Sequence, residues 1–328
     1  MTILDDWAPG KTPYDVAVAV VIISIMFAGI AMGIGRAFQN RKIEYWGRDE
    51  LLQAFINGAI VGGLIGLIAI LNTTVNSLVP VGPSLVCPGL DPTSAIGFAQ
   101  CYLSDLGTKI FALSGVLIAA NVIVGFITNL GISFIVTVTP FAGLAPIGSI
   151  LGMIIESLFV FLLAVQAQSS LLTFISGAAL TTFLPVGLIL RCFFPTRKLG
   201  GALIAMAIGM YVVFPLTFVL DYQSVAAMNV HIQDSQTSLD KFKTDFSYVL
   251  GLSLGDVGAA QTLVNTLVGG GIYDVINGLV KTLTIVQADL FIQVIILPIL
   301  GLIITVISIR ELAGIFGSEI GLGGFDVL

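Results

Sequence analysis

Charge is what this sequence has least of. Only 10% of its 328 residues are Asp, Glu, Lys or Arg, against about 25% in an ordinary soluble domain, while 57% are hydrophobic. So little charge cannot cover the surface of a soluble fold of this length. The class implied is all-α, a polytopic transmembrane helical bundle. Histidine occurs once, at His231, and the three cysteines are scattered, which excludes a His/Cys zinc site. No Gly-Lys-Ser/Thr phosphate loop is present, so the chain does not hydrolyse nucleotide itself. With a net charge of -6 it is no general polyanion binder, and sequence-specific nucleic-acid binding is not expected. The N-terminus, with Asp5, Asp6 and Trp7, lacks the basic region of a secretory signal, so this segment is expected to stay on the protein.

Catalytic patterns fail on inspection. Gly251-Leu-Ser253-Leu-Gly255 matches a nucleophile elbow, which needs a preceding strand and a later histidine, whereas His231 lies upstream. Gly255-Asp256, Tyr14-Asp15 and Tyr273-Asp274 resemble the aspartate pairs of intramembrane proteases. None of these carboxylates is centred in an apolar span, as a dry two-carboxylate site requires. No enzyme activity, cofactor or metal is expected.

What is present is a series of long apolar segments. Seven spans are expected: Val16 to Ile34, Leu51 to Leu71, Ile110 to Val138, Ala145 to Val165, Leu171 to Leu190, Ala202 to Leu220 and Leu290 to Ile309. Each reaches across a hydrocarbon core of roughly 30 Å at about 1.5 Å per residue. Residues 1–220 form a membrane domain with six spans, 221–289 an external region, and 290–328 the last span and a cytoplasmic tail. Gln166 to Ser170 is expected to be a tight turn, and the excess length of Ile110 to Val138 to be absorbed by tilt. Pro195 ends one helix of the hairpin around Arg191 to Gly201, Gly200 and Gly201 open the next where a close approach or turn is needed, and Pro215 is expected to kink it.

Orientation follows from the basic residues. Arg36, Arg41, Lys42, Arg48, Arg191, Arg197, Lys198 and Arg310 fall on one side, eight of the 13 Lys and Arg residues. That side is the cytoplasm, which places the N-terminus outside and the C-terminus inside. Arg191, Arg197 and Lys198 form a short basic turn with no acid near them in sequence, suited to anionic headgroups or a cytoplasmic partner. Tyr45 and Trp46 sit at headgroup depth.

Within the spans, Gly58, Gly62 and Gly66 are spaced as two overlapping G-x-x-x-G pairs, a face to which another helix can approach closely. Glu156 lies midway along an apolar span, where a carboxylate is expensive and points to a pore or polar core. The alternative is a structural glutamate answered by Asn121 or Asn129 across a helix interface. Residues 72–108 form a loop with Pro80, Pro83, Pro88 and Pro92, in which Cys87 and Cys101 are candidates for one disulfide. It would close about 15 residues, worth about 3 kcal/mol on the entropy model. Asn72-Thr73-Thr74 is a glycosylation sequon close to the membrane. From Phe246 to Leu290, apolar residues at three- and four-residue steps describe amphipathic helices on the outer surface, a re-entrant hairpin at Gly269 to Gly271 being the alternative.

Taken together, the external N-terminus, the Trp- and Arg-bearing joint Arg41 to Leu51, the turn Phe194-Pro-Thr-Arg-Lys-Leu-Gly-Gly201, the large external loop and the tail resemble the TrbL-type membrane component of type IV secretion and conjugation machines. The likeness to the archaeal CedA-type DNA-import proteins is closer. It implies a channel or assembly platform in the cell membrane that works with a separate cytoplasmic ATPase and other membrane subunits, with DNA as the transported polymer and membrane lipid around it. Two other classes stand beside it: a self-contained transporter for a small solute or ion, and a structural membrane protein that holds surface partners.

Overall fold

The computed structural model describes residues 12–78, 93–129, 132–133, 137–138, 145–192, 194–224, 237 and 271–317. They are helical almost throughout. In chain order they form α1 (Thr12–Ala37), α2 (Arg41–Leu78), α3 (Ala95–Thr128), a two-residue antiparallel pairing of β1 (Ile132–Ser133) with β2 (Thr137–Val138), α4 (Ala145–Ala178), α5 (Leu184–Arg191), α6 (Arg197–Ile208), α7 (Phe214–Ser224), α8 (Gly271–Phe291) and α9 (Leu297–Ile315). Three π-helical segments, Ala179–Phe183, Gly209–Val213 and Ile292–Ile296, weld α4 to α5, α6 to α7 and α8 to α9. Among the described residues, six helices are therefore long and apolar enough to cross a membrane. This makes the chain a multi-pass helical membrane protein by length and composition.

The sequence led to seven spans, and the difference lies at Gln166 to Ser170. Instead of a turn, one helix runs 47 residues from Ala145 to Arg191, about 70 Å at 1.5 Å per residue. Gln and Ser are polar but compatible with helix, and neither Gly nor Pro lies between Met153 and Ser176 to break it. Likewise α2 runs on to Leu78, α3 starts at Ala95, and α8 passes through Leu290 without a break. The Pro80, Pro83, Pro88 and Pro92 segment falls outside the described residues, between those two helices.

Each π segment ends two residues before a proline: Pro185, Pro215 and Pro298. A proline has no N–H for the carbonyl four residues back, and its ring crowds that oxygen. Widening the preceding turn by one residue moves the carbonyl aside. Leu184, Phe214 and Leu297 each donate instead to the carbonyl five residues earlier, so each helix continues through its proline.

The chain divides into two compact units, one of 1–102, 169–220 and 298–328, the other of 103–168 and 221–297. In the first, α1 packs antiparallel on α2. The buried residues of α2 are Gly47, Glu50, Ala54, Asn57, Val61, Leu64, Ile68, Leu71 and Val75, alternating three- and four-residue steps that make a heptad seam. Ala17, Ser24, Ala28 and Ala31 face it from α1. The α1 side of the seam is lined by small residues that let the backbones approach, the α2 side by Gly47 and Ala54 followed by Val, Leu and Ile, while Phe55, Ile70 and Leu52 stand outside, 74%, 66% and 59% exposed. A Cβ on Gly47 would come 2.9 Å from the Met32 nitrogen, and one on Gly35 2.6 Å from the Glu44 nitrogen. In the second unit, Leu103, Leu106, Ile110, Leu113, Leu117, Ala120 and Val124 of α3 and Leu151, Ile154, Leu158, Phe161 and Val165 of α4 repeat the same steps. Gly107 lies against Val165, and Gln287 Nε2 donates to Ser157 Oγ at 3.0 Å.

Candidate functional site

The polar groups of the first unit gather where α2 begins and α5 ends. Glu50 occupies a seam position near the start of α2 and is 6% exposed. Arg197, at the start of α6, donates to its carboxylate at 2.5 Å. Gln53, the next residue on that face, accepts from Arg191 Nη2 at 3.3 Å. Arg191 is only 4% exposed, its guanidinium lies 5.6 Å from the Phe316 ring centre, and its Nε and Nη1 have no hydrogen-bond partner. One turn further along the seam, the Oδ1 of buried Asn57 is also unpartnered.

The hairpin that delivers Arg191 and Arg197 depends on two glycines. A Cβ on Gly200 would lie 2.6 Å from both the Arg191 nitrogen and the Gly187 carbonyl oxygen, and one on Gly187 3.0 Å from the Gly200 oxygen. Backbones this close need Gly on both sides. Thr196 Oγ1 donates to Leu190 O at 2.7 Å and tightens the turn.

The sequence reading grouped Arg191, Arg197 and Lys198 as one basic turn without an acid. The fold separates them: Arg191 is buried, Arg197 is paired with Glu50, and Lys198 is exposed. The acid comes from α2, 147 residues away in sequence, a relationship no local pattern could reveal. The same contact brings the turn to the end of the unit that carries Arg36 and Arg48, which share Glu44 Oε1 at 3.2 Å each.

Beside this cluster α1, α2 and α5 enclose a cavity of about 470 Å³. Val20, Ile23, Phe27, Trp46 and Ile189 give it apolar walls, and Ser24, Glu50 and Cys192 are its polar lining residues. Ser24 Oγ donates to Val20 O at 2.6 Å and lies 3.0 Å from Cys192 Sγ. Cys192 is a free thiol whose pKa is pushed up by burial, with its side-chain contact to Ser24 opposing.

The other candidates are dispersed. Glu156 is exposed, on a face of α4 with Met153, Val160 and Leu163, which are 62%, 57% and 71% exposed. Asn129 is exposed as well and donates to Gly125 O of its own helix at 2.7 Å. Asn121 lies by Gly148, two turns from Glu156 along α4. Gly58 packs on Val21 Cγ1, while positions 62 and 66 have nothing within 4 Å. Cys101 is fully buried, and its expected partner Cys87 lies outside the described residues, as do His231, Ser253 and Asp256. Asn72 is inside α2, and its Oδ1 accepts from Ala95 N at 3.3 Å, where α3 begins. Among the described residues no group of three or more His, Cys, Asp or Glu could hold a metal. Glu50, Gln53 and Asn57 escaped sequence reasoning, although their three- and four-residue spacing was there to find.

These features define a class, the multi-pass helical membrane protein with a buried ionic cluster at one end of a heptad-packed unit. No family model, curated protein or solved structure matches the chain.

Proposed function

We propose that this protein is a channel or assembly-platform subunit of a larger envelope machine, of the type that transfers DNA or secretes a polymer through the cell membrane. The observation that carries the reading is Glu156. Its carboxylate stands on the exposed, otherwise apolar face of α4, where hydrocarbon would be costly for it. Burial against another subunit, or a water-filled conduit, removes that cost. The open positions at Gly62 and Gly66 supply a second face where a neighbouring helix can approach. In this account the N-terminus is outside and the exposed basic residues Arg36, Arg48 and Lys198 face the cytoplasm, within reach of a separate ATPase.

The test is cysteine substitution at Glu156 in native membrane, in a background lacking the other cysteines, with a membrane-impermeant thiol reagent from each side, joined to recovery of copurifying proteins. The proposal expects Glu156→Cys either to react from one side, as in a conduit, or to be protected and to crosslink to a second subunit. Inertness from both sides without crosslink or partner contradicts it. Solute flux by the reconstituted single chain would favour a transporter.

A further inference from the structure

We propose that the cavity between α1, α2 and α5 binds one neutral single-chain lipid that ends in a hydroxyl, of the class of long-chain and isoprenoid alcohols. This goes beyond the assembly role and does not depend on it. Val20, Ile23, Phe27, Trp46 and Ile189 make the lining mostly apolar. Its volume of about 470 Å³ lies in the lower half of the roughly 300–1,000 Å³ of ligand sites, which favours one chain over two. Ile23, Phe27 and Ile189 are 50%, 66% and 40% exposed, so the cavity opens on the apolar flank of its unit. A lipid enters there from the membrane hydrocarbon without crossing water.

The polar lining residues select the head of that lipid. The Ser24 O–H donates to Val20 O at 2.6 Å, and the Cys192 S–H to Leu188 O at 3.2 Å. Glu50 accepts from Arg197 through Oε2, and among the described residues nothing donates to its Oε1. Glu50 and Ser24 are 6% and 3% exposed, so the buried polar groups of the cavity offer acceptors, and the indole N–H of half-exposed Trp46 is the remaining donor of the lining. A buried carboxylate oxygen without a donor is costly. The ligand must therefore donate. Charge decides the rest: the Glu50 carboxylate, the charged group of the lining, repels an anionic head, while a cationic head would bring a second positive charge to a carboxylate that Arg197 already balances. A hydroxyl supplies the donor without a charge. A plain hydrocarbon would fill the walls and leave Oε1 unanswered.

The experiment places the full-length protein in phosphatidylcholine nanodiscs and adds oleyl alcohol, its methyl ether, oleylamine or oleyl sulfate, which share one chain. Alkylation of Cys192 by N-ethylmaleimide is followed by peptide mass spectrometry, since that thiol lines the cavity. Oleyl alcohol should slow it. Half-maximal protection should need about tenfold less alcohol than methyl ether, the size of one hydrogen bond to a charged group, and the amine and the sulfate should also protect less well than the alcohol. Val20→Phe, which fills the cavity from α1, should abolish the protection. Helicity and elution volume monitor folding; should Val20→Phe fail to fold, the four-ligand comparison in wild type decides. No protection by the alcohol, equal or better protection by any of the other three, or unchanged protection in folded Val20→Phe overturns the proposal.

Discussion

Gln168 Nε2 donates a hydrogen bond of 2.9 Å to the backbone carbonyl of Val294, the oxygen that Pro298, four residues later, cannot bond. A side chain of α4 thus repairs a vacancy in the backbone bonding of the α8–α9 helix, one of the ways a membrane helix tolerates proline. The prediction is a cycle. Gln168→Leu should destabilise the protein by about 0.6–1.7 kcal/mol, the range of interhelical hydrogen bonds in membranes. In a Pro298→Ala background, where the alanine introduced brings a backbone N–H within reach of that carbonyl, the same change should cost much less. Equal losses in both backgrounds, by denaturant unfolding in mixed micelles, would show that the bond and the proline are unrelated.

Breaking the Glu50–Arg197 pair should be costly, because it leaves a charge without its partner at buried Glu50 or at half-buried Arg197. Glu50→Gln is expected to lose about 3–5 kcal/mol, and Glu50→Gln with Arg197→Gln less than the sum of the two singles. Additive losses in the same unfolding assay would mean the two groups act independently.

The glycines separate into two kinds. Gly200→Ala puts a Cβ 2.6 Å from backbone atoms of α5 and should cost about 1–3 kcal/mol through overpacking. Gly62→Ala, with nothing within 4 Å, should stay within about 0.5 kcal/mol in the isolated chain. Thermal unfolding of the purified variants distinguishes them.

For the cysteines, Cys87 and Cys101 are expected to be oxidised to each other, which non-reducing peptide mass spectrometry reads directly; two free thiols would dismiss the bridge. Cys192 is the contrasting case. Because burial raises its pKa, its thiolate fraction at a given pH is smaller than that of a thiol with the ordinary value of about 8.5. Alkylation should therefore be slow at neutral pH, with the rate rising along a curve displaced to higher pH than that of a small free thiol. A profile coincident with the free thiol would contradict this.

The class of fold was legible because hydropathy alone sets it, and so were the hairpin around Pro195 and the need for glycine at its opening. Helix ends were less legible. Gln166 to Ser170 looks like a turn by polarity, but helix depends on backbone geometry, and a run of helix-compatible residues does not interrupt it. The buried seam was hidden for another reason: in helices apolar all round, hydrophobicity does not mark the inward face, where Leu64, Ile68 and Leu71 are buried beside small residues such as Ala28 and Gly47 while Leu52 and Ile70 of α2 are exposed. The Glu50–Arg197 pair joins positions far apart in the chain, whereas the role of Gly58 was half visible. It does face another helix, α1, within its own unit.

The central claim, that this chain is one subunit of a larger assembly, is tested most directly by native gel electrophoresis of gently solubilised membranes carrying wild type or Gly62→Leu. Leu is favourable in lipid, so insertion and monomer level should be unchanged while a bulky side chain occupies the open face. The account predicts a high-mass complex for wild type that is lost in Gly62→Leu. A monomer in both, with solute flux from the reconstituted monomer, would contradict it.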